Sequence, residues 1–152
     1  MIPELALSTY VRTCAPNVSP TTSLAIISVE SRGWPWSIRD NTENRAYAMR
    51  TRDAATRAAT LLVNAGHNVD LGLMQVNSQN LGWLGLRVDQ VFDPCTNIAA
   101  GGRILTEDYV NAARVYGAGQ LALYHAFEAY NSGKMDGAAE YARLVWRAAT
   151  GL

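Results

Sequence analysis

The chain has 152 residues, 49% of them hydrophobic and 17% charged, which fits a packed unit with its own core and excludes intrinsic disorder. Lys and Arg together number 13 and so do Asp and Glu. A general nucleic-acid binder, or a protein held by charge on anionic lipid, would show a basic excess, so both classes fall away. No apolar stretch approaches the eighteen or so residues that span a bilayer, and the start of the chain carries no basic region of the secretory type. Two cysteines, Cys14 and Cys95, are too few for a disulfide scaffold or a four-cysteine metal site. They form either one bridge or two free thiols.

In chain order the pattern is mainly helical. A first helix over about Pro3 to Arg12 turns Leu5, Tyr10 and Val11 inward. Ser19 then offers an N-cap, Pro20 suits the first helical position, and Thr21 to Arg32 continues to a stop at Gly33 and Pro35. Its Leu24-Ala25-Ile26-Ile27-Ser28-Val29 run predicts burial on most sides. Asn41 to Arg50 reads as a short extended piece. Thr51 or Asp53 caps a helix through Val63 that Gly66 ends. Asn68 to Val76 reads as a tight turn or short strand around Gly72. Asp93-Pro94 opens a long helix to about Gly117, Ala118 to Tyr130 forms another, and Asp136 to Ala149 a last one, with Ala139, Leu144, Val145 and Trp146 inward. There is no repeat, charge block or linker, so residues 1–152 read as a single domain.

Glu30 stands out. It follows Ile26 and Ile27 by one turn, so it shares their buried face, and it lies where the helix-end carbonyls make the local field negative. Both effects raise a carboxyl pKa, as a general acid requires. The opposing reading is a solvated residue at a frayed helix end.

Its neighbours favour the first reading. Val29-Glu30-Ser31 with Gly33-Trp34-Pro35-Trp36, then Gly72-Leu73-Met74-Gln75, then Ala129-Tyr130-Asn131-Ser132-Gly133 resemble, in order, the three motifs of the soluble lytic transglycosylases, whose fold is related to goose-type lysozyme. The resemblance runs from about Cys14 to Trp146. Cys14-Ala15-Pro16, Gln75-Val76-Asn77, Phe92-Asp93-Pro94-Cys95 and the insertion from about Asn41 to Asn68 look like the branch that serves type IV secretion and conjugation.

The resemblance implies a mainly α, lysozyme-like fold: a helical bundle around a substrate cleft, with a small extended segment. It implies a peptidoglycan lytic transglycosylase that leaves a 1,6-anhydro product, with no cofactor and no metal. Glu30 would be the catalytic acid and base. Ser31, Met74, Gln75, Tyr130 and Asn131 would bind substrate or shape the cleft, Tyr130 holding Glu30 through its hydroxyl. Partners would be glycan strands and secretion components, with no nucleic acid and no membrane insertion. Asp40 and Asp70 lie outside the motifs, so a one-carboxylate reaction is expected in place of the usual pair.

Gly72 would let the backbone approach a ligand closely. Trp34, Trp36 and Trp83 would stack on sugar rings or pack in the core, with the core favoured for Trp83. His67 and His125 lack partners at metal spacing and read as structural or surface residues. Arg45, Arg50, Arg52 and Arg57 give the insertion a basic cast, read first as a solvated helix face. A Cys14–Cys95 bridge would place the protein in the periplasm, with any signal segment removed. Two rival functions remain: a lysozyme-type hydrolase on the same substrate, and a catalytically weak wall-binding assembly subunit.

Overall fold

The computed structural model describes residues 1–152. Eight helices surround one small sheet: α1 Glu4–Cys14, α2 Pro20–Glu30, α3 Arg52–Asn64, α4 Leu81–Leu84, α5 Val88–Val91, α6 Pro94–Tyr116, α7 Gln120–Ser132 and α8 Ala139–Thr150. The strands are β1 Ser37–Asp40, β2 Arg45–Ala48, β3 Val69–Leu71 and β4 Val76–Asn77, all antiparallel in the order β2-β1-β3-β4.

The apolar residues collect in two clusters. Ile26 and Ile27 of α2 pack with Leu7, Val11, Leu73, Met74, Ile98 and Phe127 on the helical side. Ile38, Leu71 and Val76 of the sheet pack with Ala55 and Ala59 of α3, and with Phe92, on the other. The alanines of α3 let that helix approach the sheet closely. Tyr130 touches both clusters. Cys14 and Cys95 form a disulfide that ties the end of α1 to the start of α6. In the chain-entropy model a bridge across so long a loop contributes about 4–5 kcal/mol.

Some local expectations hold and others are corrected. Helix α2 stops at Glu30, because Ser31 leaves helical geometry and Arg32, at φ 53°, already turns left-handed before Gly33. Ser19 makes no side-chain cap, whereas Thr51 Oγ1 accepts the Ala54 N–H at 3.1 Å and Asp93 accepts that of Thr96 at 2.9 Å. In α1 the buried residues are Leu7 and Val11, while Leu5 is 83% exposed. The extended piece within 41–50 is β2, the outer arm of a hairpin with β1. Residues 68–77 form two strands joined by a turn. The inward face of α8 is Tyr141, Ala142 and Val145, and neither Leu144 nor Ala139 is buried. No helix is long and apolar enough to cross a membrane.

Candidate active site

The three motifs meet at one turn. Residues Gly72 to Gln75 link β3 to β4, and their backbone groups are engaged from several directions. Ser31 Oγ, just past α2, donates to the Leu73 carbonyl at 2.7 Å. Tyr130 Oη, on α7, donates to the Met74 carbonyl at 2.7 Å. From α6 the buried Asn97 accepts the Met74 N–H at 2.8 Å and donates to the carbonyls of Leu71 and Val91, each at 2.8 Å. Buried polar backbone inside a fold must find partners, and here those partners lock the turn to three helices.

Two glycines allow this closeness. A Cβ on Gly72, whose φ is +80°, would lie 2.3 Å from Asn97 Nδ2, so the close approach is to a protein side chain and not, as the sequence suggested, to a ligand. A Cβ on Gly101 would lie 2.7 Å from Met74 Sδ. Met74 is fully buried in the helical cluster, so its side chain is core and does not wall a cleft. Gln75 holds φ at 49°, an uncommon geometry for a residue with a side chain. Its Nε2 donates to the carbonyls of Ser37 and Gly72 at 3.3 and 3.0 Å, leaving the amide oxygen, an acceptor, to offer a ligand.

Glu30 ends α2, its carboxyl largely out of water. Burial is the main reason its pKa rises from an ordinary 4.5 to about 7; the hydrogen bond from Tyr141 pulls it down, and the charge of Asp70 pushes it up. Tyr141 Oη donates to Glu30 Oε1 at 2.6 Å. Burial and the neighbouring Glu30 charge push the phenol's own pKa far up, so it stays a donor. With Oε1 accepting that bond, Oε2 can carry the proton. The hydroxyl that holds Glu30 is therefore that of Tyr141, from the last helix, and not that of Tyr130. Tyr130 is still near: burial and the charges of Glu30, Asp108 and Asp70 raise its pKa.

Beside Glu30 runs a groove of about 600 Å³. Gln75, Asp70, Trp83, Asp108, Tyr130 and Asn131 all contribute to its wall. Glu30 is not itself a wall residue; it lies near enough to Asp70 and Tyr130, which are, for the charges to act on one another. Asp70 is the residue the motifs missed. Burial raises its pKa, opposed by amide donors: Asn41 Nδ2 reaches Oδ2 at 2.8 Å and Asn77 Nδ2 reaches Oδ1 at 2.7 Å. Asn68 Oδ1 accepts from both of these amides at 2.8 Å, completing an amide-rich floor. The signal was present in the sequence as Asn68 and Asp70 two positions apart, Asn68 just before β3 and Asp70 within it, with Asn77 opposite Asp70 in the register.

Asp40 plays no such part. It is buried and bonded to His67 at 2.8 Å and to the N–H groups of Thr42 and Glu43. Burial pushes its pKa up, but His67 and those N–H groups outweigh it, so the value falls below the ordinary range. Trp83 lines the groove half-exposed with the Arg103 guanidinium 5.3 Å from its ring, contrary to a core role. Trp34 and Trp36 lie edge to face at 6.0 Å, outside the groove wall, and Trp34 donates to the Met49 carbonyl. Arg52 is not free: it donates to the Asp89 carbonyl at 2.7 Å.

Residues 10–143 match the family described as the transglycosylase SLT domain. The chain belongs to that family. The SLT domain accounts for the mainly helical, lysozyme-like architecture with its small antiparallel sheet. The chain is 37% identical over 124 residues to the protein virB1 of Agrobacterium fabrum, covering 82% of this chain and 50% of that protein. It is 37% identical over 138 residues to the type IV secretion system protein virB1 of Brucella suis, covering 90% and 57%. It is 30% identical over 108 residues to the invasion protein IagB of Salmonella typhimurium, covering 66% and 62%. The chain thus spans about half the length of the virB1 relatives it matches. No solved structure matches it.

Proposed function

We propose that this SLT domain cleaves the β-1,4 bond between N-acetylmuramic acid and N-acetylglucosamine in peptidoglycan, and that Glu30 acts as acid and then as base. The observation that carries the reading is a carboxyl with one oxygen bonded to Tyr141 and a pKa of about 7, placed beside a polar groove. At neutral pH a large fraction is protonated and able to give its proton to the bridging oxygen. The substrate's acetamido oxygen stabilises the cationic carbon, one of the exceptions to the two-carboxylate rule. Glu30, now a carboxylate, removes the proton from the muramic six-position hydroxyl, and the sugar closes on itself as a 1,6-anhydro ring. No water enters the products.

The remaining site residues divide the work. Gln75 accepts from the acetamido N–H of the sugar. Asn131 and Tyr130 line the groove beside it, Tyr130 chiefly by fixing the Met74 carbonyl, and Ser31 fixes the end of α2 to the same turn. Cutting strands would open the wall for a type IV secretion apparatus, the system for which the Brucella suis relative is named. The disulfide fits an oxidising compartment, which for such a substrate is the periplasm.

Asp70 supplies the ground for a second reading. A second carboxylate in the groove is what a lysozyme-type hydrolase uses. Both oxygens of Asp70 are bound by asparagine amides, which suits an acceptor for sugar hydroxyls better than a nucleophile. Mass spectrometry of digested cell wall separates the two: anhydro-muropeptides are expected, while reducing ends would establish hydrolysis. Wall cleavage undiminished in Glu30→Gln would overturn the role of Glu30, and a wild type that binds wall without cleaving it would leave only a binding subunit.

A further inference from the structure

The groove continues past Tyr130. A second hollow of about 650 Å³ adjoins it and shares Asp108, Ala129 and Gly133 with it. Its own wall adds Asn111 and Arg114 from α6, and Lys134 and Asp136 from the connection between α7 and α8. Nothing in the cleavage step uses these side chains.

Asp108 is the informative one. Its Oδ2 is buried and has no hydrogen-bond partner in the protein. Burial, and secondarily the adjacent Glu107, raises its pKa to about 7. A buried, unpartnered carboxylate oxygen opposes folding, and such groups gather where a ligand supplies the missing donor. The opposite charge lies in the same hollow: Arg114, steadied by Asn111 Oδ1 at 3.3 Å, and Lys134, both exposed.

The hollow is also built and not merely open. Ser132 Oγ accepts the Lys134 N–H at 3.2 Å and shares its one hydrogen between the carbonyls of Glu128, at 2.8 Å, and Lys134, at 3.0 Å. His125 Nδ1 bonds the Met135 carbonyl at 2.6 Å, and Glu128 Oε2 accepts the Ala138 N–H at 3.1 Å. The connection that carries Lys134 and Asp136 is thus pinned at both ends. Two acids and two bases in one fixed hollow complement a ligand that carries both an ammonium and a carboxylate.

We infer that this hollow binds the peptide stem of peptidoglycan through the zwitterionic free end of its diamino acid, the ammonium on Asp108 and Asp136 and the carboxylate on Arg114 and Lys134. The inference rests on the glycan-strand reading, since the stem branches from muramic acid. A strand lying in the groove would then pass its stem across the wall that the two hollows share.

The test is a titration of the folded protein with the tripeptide L-alanyl-γ-D-glutamyl-meso-diaminopimelate, followed by NMR. Saturable shifts are expected at Asp108, Arg114 and Lys134. Asp108→Asn, which keeps the shape, and Arg114→Ala, at an exposed position, should each weaken binding about tenfold, as should acetylation of the peptide's free side-chain amine. Glu30→Gln should bind the peptide like the wild type while cleaving no wall, so failure of the catalytic reading shows up separately. Absence of saturable shifts at those residues, or wild-type affinity in both variants, overturns the inference.

Discussion

Glu30 and Glu128 are both glutamates drawn out of water by the helices of this fold, and the fold treats them oppositely. Glu128, on α7, is 4% exposed, and each oxygen has a partner: Oε1 lies 3.1 Å from His125 Nδ1, which it shares with the Met135 carbonyl, and Oε2 accepts the Ala138 N–H. Glu30, at the end of α2, has a partner on one oxygen only. A fully satisfied carboxyl holds structure together, and a half-satisfied one is left with chemistry to do. Exchanging each for a neutral residue should have opposite effects. Glu30→Gln should lower the rate of wall cleavage by about 10²–10⁴, the usual worth of a general acid, with the fold intact by circular dichroism.

Glu128→Ala should do the reverse. It strips His125 and the Ala138 N–H of a charged partner, and the loss is about 3 kcal/mol in urea unfolding. Because Ala138 immediately precedes α8, loosening it also frees Tyr141 from Glu30, so activity falls together with stability. Glu128→Gln, which restores an acceptor, should recover part of both. A Glu128→Ala protein as stable as the wild type would show that the satisfied carboxyl holds nothing.

The same pair shows what the amino-acid order reveals. Glu30 was legible because burial and helix position follow from its neighbours within one turn. The helices were legible for the same reason: proline, glycine and apolar spacing are local signals. Tyr141 was not. It lies 111 positions from Glu30, and its inward orientation depends on the phase of α8, whose start is set by the Glu128 bond to Ala138 and not by any cap in the segment itself. An inward face centred on Ala139, Val145 and Trp146 rotates the helix by part of a turn and moves Tyr141 to its margin. Asp70 was missed for a related reason, because strands of two to four residues acquire a face only through the register with β1 and β4. Met74 was misplaced because the room for it is made by Gly101, 27 positions later.

Proton linkage sharpens the contrast further. The folded protein holds a proton on Glu30 up to about pH 7, whereas an unfolded glutamate gives it up near 4.5. Stability from this group is therefore fully present below 4.5 and is lost as pH rises through 7, by up to about 3 kcal/mol. Asp108 runs in the same direction. Urea unfolding at pH 5 and pH 8 should show the wild type weaker at the higher pH, with the gap narrowed but not abolished in Glu30→Gln. A gap unchanged by that substitution would mean that Glu30 is ionised in the folded state at both values.

Tyr141→Phe asks the finest question. Its hydroxyl is the one group that lowers the Glu30 pKa, against burial and Asp70, which raise it. Removing it leaves the carboxyl with no donor and moves its pKa further up. Activity needs the protonated acid first, so cleavage by the wild type should decline as pH rises through about 7, and in the variant that decline should begin at higher pH. The rate at the optimum should fall about tenfold, since the phenol also steadies the carboxylate that forms midway and must then act as base; a hydrogen bond to a charged group is worth roughly that much. Loss of packing alone would lower the rate and leave the decline at the same pH. Only a hydroxyl that sets the proton affinity of Glu30 moves both, and the displaced limb is what distinguishes a tuned acid from a merely buried one.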